Sequence, residues 1–242
     1  INFFKYSLTS FSNIQSSISY SFTQNAIASN QTYEQFNKTK IQYVNISGND
    51  NFYASVGFER NFKKANLTLG ININYYGSNY ASFINSIKNN NQNSSVSIGP
   101  VIKYNNQDKF ECSLNTSISY NTGKSNIGNA NTNALWSHSH DFEATVFLPL
   151  KFELNTNVNM NFQPANSYFN SSLQVIKWNA SIVKKLTKND KTEIRLAVFD
   201  ILNQNTGYNR YVTGNYISES SNNYIPRYGL LSFIWNFTHT NK

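Results

Sequence analysis

The sequence predicts an all-β fold, an antiparallel up-and-down meander of transmembrane strands that forms part of a β-barrel. Three observations predict it. Apolar and polar residues alternate with the period of a β-strand in one segment after another. These segments run to roughly ten to fourteen residues, which suits tilted strands that cross a bilayer. Short, Lys-rich turns also alternate with long loops rich in Asn and Ser, as in outer-membrane barrels.

Composition favours strands along the whole chain. Of 242 residues, 39% are apolar and 13% are charged, so Asn, Ser and Thr fill much of the remainder. Asn and Ser disfavour helices, whereas the 16 Tyr and 18 Phe favour strands. No abrupt change in composition marks a boundary, so we predict a single domain over residues 1–242.

The formal charge of +8 does not form a basic face. Most Lys residues lie around the short turns, so no nucleic-acid partner is predicted. The one cysteine, Cys112, cannot form an internal disulfide.

The first half of the chain alternates less regularly than the second. We predict the end of a strand at residues 1–8, an irregular polar stretch at 25–37, and one strand over 41–58 with a bulge or bend near 45–50. After a turn at residues 62–66, another strand leads into a polar loop that extends to about Ser94. The apolar positions of these segments are Ile14, Ile18, Tyr20, Phe22, Ile41, Tyr43, Phe52, Ala54, Val56, Phe58, Leu67, Leu69, Ile71, Ile73 and Tyr75.

The second half gives the clearest strands, separated by predicted short turns at residues 105–109, 149–151 and 188–191. Residues 152–162 form the clearest alternating segment of the chain, with Asn at most positions of the polar side. The apolar positions of this half are Val96, Ile98, Ile102, Tyr104, Phe110, Cys112, Leu114, Ile118, Tyr120, Phe142, Ala144, Val146, Leu148, Phe152, Leu154, Val158, Met160, Phe162, Ile176, Trp178, Ala180, Ile182, Leu186, Ile194, Leu196, Val198, Leu231, Phe233, Trp235 and Phe237.

The two predicted faces suit lipid and water. A face of Asn, Ser, Thr and Gln can line a lumen, the apolar face can contact lipid, and aromatic residues near strand ends can form interfacial girdles. A β-sandwich whose core contains the aromatic residues remains an alternative, although its loops would not be sorted by length. A solenoid would need shorter repeats and more Gly than the 10 present.

The closing segments resemble a known family. Residues 195–210, RLAVFDILNQNTGYNR, residues 214–217, GNYI, and residues 227–237, RYGLLSFIWNF, resemble the last strands of TonB-dependent receptor-like outer-membrane β-barrel proteins of Bacteroidota. The resemblance is specific over about residues 190–237. It implies a barrel of about 22 strands around an N-terminal plug. The roughly eleven strands counted here would be the C-terminal part of that barrel domain, without the plug.

That resemblance also implies location, partners and function. It places the chain in the outer membrane of a Gram-negative cell, in contact with lipid, with the barrel-assembly machinery and, through an upstream segment, with a TonB energy-coupling protein. Phe233, Trp235 and Phe237 would then belong to the strand that closes the barrel and directs its assembly. The implied function is nutrient uptake. The alternative is a non-transporting barrel that acts as an adhesin or as a structural partner of a secretion or surface-lipoprotein complex. A plug domain and coupling segment upstream of residue 1 would favour uptake, and their absence would favour the alternative.

The loop over residues 204–223 is the predicted recognition site. Tyr208, Tyr211 and Tyr216 offer flat faces for stacking, and Arg210 offers a planar fork of donors. Asn205 and Asn209 add amide groups, a mixture that suits sugars, peptides or metal chelates. The alternative is that these tyrosines only fold back on the rim of the barrel.

No catalytic residue, metal site or cofactor is predicted. His138 and His140 share a strand face near a predicted strand end, but a third ligand is not evident. Ser137 and Asp141 point to the face opposite His140, so they cannot assist it as in a hydrolase. Asp200 interrupts the apolar side of its strand; we expect it to mark the exit from the bilayer, with a ligand role as a second interpretation.

Eleven strands of a larger barrel leave two unpaired edges. The sequence therefore predicts an open sheet for this chain and not a closed small barrel.

Overall fold

A computed structural model describes residues 1–35, 38–106, 109–127, 133–166, 169–187, 189–213, 216–222 and 224–237. These ranges leave out residues 36 and 37 of the predicted irregular stretch, residues 107, 108 and 188 of two predicted turns, and residues 214, 215 and 223 of the predicted recognition loop. Among the described residues, no helix combines the length and apolarity needed to cross a bilayer. The strands are β1 (Asn2–Ser7), β2 (Ser12–Thr23), β3 (Ala26–Tyr33), β4 (Thr39–Ile46), β5 (Asn49–Phe62), β6 (Leu67–Ile84), β7 (Ile87–Asn106), β8 (Phe110–Ser125), β9 (Asn133–Leu148), β10 (Phe152–Gln163), β11 (Leu173–Lys185), β12 (Thr192–Phe199), β13 (Tyr208–Thr213), β14 (Tyr216–Ser221) and β15 (Tyr228–Trp235).

Eleven of these strands form an antiparallel meander in the order β1-β2-β5-β6-β7-β8-β9-β10-β11-β12-β15. The all-β, antiparallel, up-and-down fold is thus confirmed. The predicted eleven strands correspond to this meander, whereas the described residues form fifteen strands in all. Within the described ranges, β1 pairs only with β2 and β15 only with β12, so the sheet is open, as predicted. Two hairpins lie off this path. β3 pairs antiparallel with β4 and, over two residues, parallel with β6, and β13 and β14 form a separate small sheet.

The first hairpin corrects two predictions. Residues 25–37 are not an irregular stretch, because β3 occupies most of them, and residues 41–58 are not one strand. β4 pairs with β3, whereas β5 pairs with β2 and β6. Between them Gly48 has a φ of +99°, a conformation that glycine adopts without a steric penalty. The slip in alternation is therefore a break between two strands and not a bulge.

The predicted polar loop up to Ser94 is also wrong. β6 and β7 stay paired from Leu67↔Tyr104 to Ile84↔Ile87. They meet in a two-residue turn at Asn85 and Ser86, whose φ angles of +49° and +63° suit a hairpin. Backbone pairing needs no apolar side chains, so a polar sequence can continue the ladder beyond the alternating region.

Register places like residues side by side across the sheet. One row joins Ile102, Leu114, Phe142, Val158 and Trp178 on five neighbouring strands. The adjacent row on the opposite face is polar and consists of Lys103, Ser113, Glu143, Asn157 and Asn179. The strands thus share one apolar and one polar face, as the alternation predicts.

The apolar face has no protein cover. Leu154, Leu196 and Phe233 on this face are 43%, 51% and 67% exposed. A β-sandwich would bury such residues against a second sheet. No described element does so, and the sandwich alternative is therefore not the fold of the described chain.

The meander has two different ends. The two 3-10 turns, Lys63–Ala65 and Pro149–Lys151, lie at one end, whereas the two-residue turn between β6 and β7 lies at the other. Both hairpins, β3–β4 and β13–β14, also lie at this second end. The second hairpin forms the candidate site.

Candidate functional site

The β13–β14 hairpin turns back over the polar face of the sheet. β13 lies against β8 and β9. Nε2 of Gln163, at the end of β10, donates a hydrogen bond of 3.4 Å to the carbonyl oxygen of Arg210. A cleft of 290 Å³ remains between hairpin and sheet. We call it the hairpin cleft; its lining includes Ser117, Ser119, Ser137, Ser139, Asn161, Gln163, Lys177, Asn205, Tyr208, Asn209, Arg210 and Tyr224.

A turn at the end of β12 starts this return. Asp200 has a φ of +51° and is 6% exposed. Its carboxylate oxygens accept hydrogen bonds from the backbone N–H groups of Gln204 at 3.0 Å and Asn205 at 3.1 Å. Its own N–H donates to Oδ1 of Asn179 at 2.9 Å. Asp200 therefore fixes the turn that places Asn205 in the hairpin cleft, and its carboxylate is occupied by that turn.

Arg210 fastens the hairpin to a second loop. Its Nε donates to Oε1 of Glu219 at 3.0 Å, and Nη2 donates to Oγ of Ser171 at 3.1 Å. The guanidinium carbon lies 4.8 Å from the ring centre of Phe169 and 5.2 Å from that of Tyr208. The side chain is only 7% exposed. Its donors therefore join the hairpin to the loop between β10 and β11, through charge-assisted hydrogen bonds and cation–π contacts.

The predicted recognition residues divide between two clefts. Asn205, Tyr208, Asn209 and Arg210 line the hairpin cleft. Tyr211, which is 50% exposed, lines a neighbouring cleft of 770 Å³, the side cleft. Tyr216 begins β14, and its side chain lies outside the described part of the structure.

Sequence reasoning missed the floor of the hairpin cleft. Ser117 pairs across the strands with Ser139, and Ser119 with Ser137, all on the polar face of β8 and β9. Their small side chains leave room for the hairpin above them. The alternating serines were visible in the sequence, but the inward fold of the hairpin depends on contacts between distant segments.

Two amide oxygens of the hairpin cleft are buried and unpaired. Among the described residues, Oε1 of Gln163 and Oδ1 of Asn205 have no hydrogen-bond partner. Gln163 donates through Nε2 to a backbone carbonyl, which can only accept, so the orientation of this amide is fixed. A buried acceptor without a donor costs free energy, and a ligand could supply the donor.

Gly207 and Tyr224 close the base of the hairpin. Gly207 has a φ of +60°, and a Cβ at this position would overlap the ring of Tyr224. Nζ of Lys177 lies 5.9 Å from the centre of the same ring. The close approach of backbone and ring therefore requires glycine.

The two histidines lie within β9 and on its apolar face, and not at a polar strand end as expected. Nδ1 of His138 is 2.9 Å from Nε2 of His140, and Nδ1 of His140 is 3.0 Å from Oγ1 of Thr116. The structure describes no group of three or more His, Cys, Asp or Glu residues that could hold a metal. As predicted, Ser137 lies on the face opposite His140.

Among the described strands, β15 pairs on one side only, and exposed aromatic residues lie on it and just after it. Phe233, Trp235 and Phe237 are 67%, 65% and 75% exposed, and the rings of Trp235 and Phe237 lie 5.6 Å apart. These rings and the free edge of β15 are available to a lipid phase or to a further strand.

No protein-family model, curated protein or solved structure matches this chain. The function must therefore be inferred from the faces of the sheet and the clefts described above.

Proposed function

We propose that this chain is part of an outer-membrane, receptor-like β-barrel that takes up a nutrient, with energy supplied through a TonB protein that engages another part of the full-length molecule. The observation that carries the proposal is the contrast between the two faces of the sheet. One is apolar and uncovered, and the other is polar and covered in part by a hairpin.

Lipid is the solvent that suits the apolar face. Contiguous exposed apolar patches larger than a few hundred Å² are uncommon on soluble monomers. Here the uncovered row continues across neighbouring strands, as in Leu154, Ile182, Leu196 and Leu231, which are 43%, 39%, 51% and 71% exposed. Aromatic residues lie along the same face, as expected for interfacial girdles.

The position of the hairpin favours uptake over adhesion. An adhesin presents its recognition groups outward, away from the sheet. Tyr208 and Arg210 instead line a cleft whose floor is the polar face of the meander. In a closed barrel this face borders the lumen, so a ligand in the hairpin cleft would lie on the route through the barrel.

The test uses the full-length gene in its own bacterium. Residues 208–221 are removed and residue 207 is joined to residue 222 by a short linker. This junction is feasible because the N–H of Asn222 donates to the carbonyl oxygen of Gly207 at 3.2 Å. We expect a gene-deletion strain to lose growth on at least one limiting nutrient, and the wild-type gene, but not the shortened one, to restore it.

A matched deletion controls for damage to the barrel. Removal of residues 27–45 deletes the other hairpin, whose ends are joined by the pair Ala26↔Ile46. Both shortened proteins should reach the outer membrane at wild-type abundance, measured by fractionation and surface labelling. Wild-type protein outside the outer-membrane fraction, or a deletion strain without any nutrient defect, would overturn the proposal.

A further inference from the structure

The two histidines of β9 hold two ring nitrogens at a separation that suits a metal ion. Nδ1 of His138 lies 2.9 Å from Nε2 of His140. A metal bonded to two imidazole nitrogens at about 2.0 to 2.1 Å holds them about 2.8 to 3.6 Å apart, for bond angles between about 90° and 120°. A small rotation of the two rings would therefore let both nitrogens bind one ion.

A threonine of β8 orients the second ring. Oγ1 of Thr116 lies 3.0 Å from Nδ1 of His140. When this nitrogen donates to the hydroxyl, Nε2 of the same ring carries a lone pair, and Nδ1 of His138 can donate to it. Binding of a metal moves that hydrogen to Nε2 of His138, so both rings remain neutral ligands. Metal-binding histidines usually have such a partner on their other ring nitrogen.

The neighbouring strand brings a thioether to the same place. Met160 of β10 pairs directly with His140. It lies diagonally to His138, which pairs with the next residue of that face. Directly opposed side chains have Cβ atoms about 4.5 to 5.5 Å apart. Because the methionine side chain is unbranched and flexible, its sulfur can reach the space beside the two nitrogens.

The surroundings favour a soft, singly charged ion. Ile118 pairs with His138 from β8, and the ring of Phe162 lies 4.7 Å from the His138 ring. Asp141 follows His140 in sequence but lies on the polar face, where its carboxylate accepts a hydrogen bond from Asn159. A divalent ion would therefore cost more free energy here than a monovalent one. Imidazole and thioether ligands together suit Cu(I).

The position of the histidines gives an aqueous ion access to them. The next pair of this face, toward the end of the sheet that carries both hairpins, is Tyr120 and Trp136. Their ring centres lie 4.6 Å apart. In the proposed barrel these rings would belong to an interfacial girdle, so the histidines would lie one step inside the boundary between lipid and water.

We propose that His138, His140 and Met160 bind a Cu(I) ion. In the part of the chain that the structure describes, no three His, Cys, Asp or Glu residues come together, so the thioether completes the site. The three side chains lie on the apolar face, whereas the hairpin cleft lies over the polar face. The inference therefore goes beyond the proposed uptake function and does not depend on it.

The test titrates the full-length protein in detergent with Cu(I), without oxygen, in competition with a coloured Cu(I) chelator. Every protein carries Cys112→Ala, because a thiol would compete for the ion. Protein loaded with one equivalent is then examined by X-ray absorption spectroscopy. We expect two nitrogen ligands and one sulfur ligand, and loss of the sulfur in Met160→Leu. This substitution preserves size and apolarity, so the fold should tolerate it.

Variants of each ligand and of the orienting hydroxyl place the site. His140→Phe, Met160→Leu and Thr116→Val should each weaken Cu(I) binding by about tenfold or more. Thr122→Val is the matched control, because it makes the same change on the same face of β8 away from the histidines, and it should not alter the affinity. Ni²⁺ is the second probe. Imidazole suits Ni²⁺ and a thioether does not, so Met160→Leu should leave Ni²⁺ binding unchanged.

Heat-dependent gel mobility verifies that each variant is folded. If His140→Phe fails this check, Met160→Leu still decides. Wild-type Cu(I) affinity in Met160→Leu, or a spectrum of the wild-type protein without a sulfur ligand, overturns the site. Equal losses in Thr116→Val and in the Thr122→Val control would also contradict it. None of these results bears on the growth test, which decides the uptake function separately.

Discussion

Replacing Val158 and its neighbour Asn157 by arginine, one at a time, tests the two faces of the sheet. The two residues are adjacent in β10 and both are half-buried, so they differ mainly in the face they occupy. β10 has 12 residues, which at about 3.3 Å each span about 40 Å along the strand. In the proposed membrane barrel, a tilt of about 40° would convert this length to about 30 Å of membrane thickness, with Val158 near its middle.

The two substitutions should differ clearly in cost. Val158 lies between Phe142 and Trp178 on the apolar face, and an arginine at the bilayer midplane costs about 2 to 4 kcal/mol there. That cost lowers the folding equilibrium constant about 30-fold to 900-fold. On the polar face, Nδ2 of Asn157 is 3.4 Å from Oε1 of Glu143. An arginine at position 157 would keep this acceptor as an ion-pair partner, so Asn157→Arg should change stability by less than about 1 kcal/mol.

The assay is urea titration of the full-length protein folded into lipid vesicles, followed by tryptophan fluorescence and heat-dependent gel mobility. Val158→Ala separates loss of the valine side chain from addition of a charge, and it should cost far less than Val158→Arg. Equal costs for the two arginine variants would refute the assignment of lipid to the apolar face.

Three further predictions concern the turns. Gly207→Ala should open the base of the β13–β14 hairpin to proteases, because alanine would have to adopt a positive φ and its Cβ would overlap the ring of Tyr224. Gly229→Ala is the control and should not increase cleavage, because its Cβ would meet the nearest atom at 3.7 Å. Asp200→Ala should destabilise the turn by about 1 to 3 kcal/mol. It should also speed hydrogen exchange of the backbone amides of Gln204 and Asn205, which donate hydrogen bonds to the Asp200 carboxylate. The hydrogen bond from Lys151 lowers the pKa of Asp190 below its ordinary 3.8. The pair of Lys151 and Asp190 stabilises the fold at pH values above the unfolded-state pKa of Asp190, and this stabilisation is lost as the pH falls through the folded-state pKa. Asp190→Asn should therefore be less stable than wild type at pH 7 and equally stable in strong acid. A difference in stability that does not change with pH would contradict this.

The sequence predicts those parts of the fold that depend on local alternation. Residues 152–162 alternate cleanly, and β10 follows them from Phe152 to Gln163. β3 was missed because its aliphatic residues are consecutive and are followed by four polar residues before Tyr33. The paired polar ends of β6 and β7 were missed because backbone hydrogen bonds form regardless of the side chains they carry.

The candidate site was predicted only in part for a related reason. Tyr208 and Arg210 were recognised by residue type, but their partners lie far away along the chain. Arg210 bonds Ser171 across 39 residues, and the cleft floor comes from β8 and β9. Local patterns carry no information about such contacts. The sequence therefore indicated recognition groups without indicating that they turn inward.

The pairing of β12 with β15 makes the β13–β14 hairpin an interchangeable insertion. These two strands pair from Thr192↔Trp235 to Phe199↔Tyr228 without any contribution from the 28 residues between them, 200 to 227. The sheet and the hairpin can therefore diverge at different rates under selection. Under the proposed function, grafting a hairpin of another sequence between Phe199 and Tyr228 would redirect ligand choice while leaving the paired strands intact.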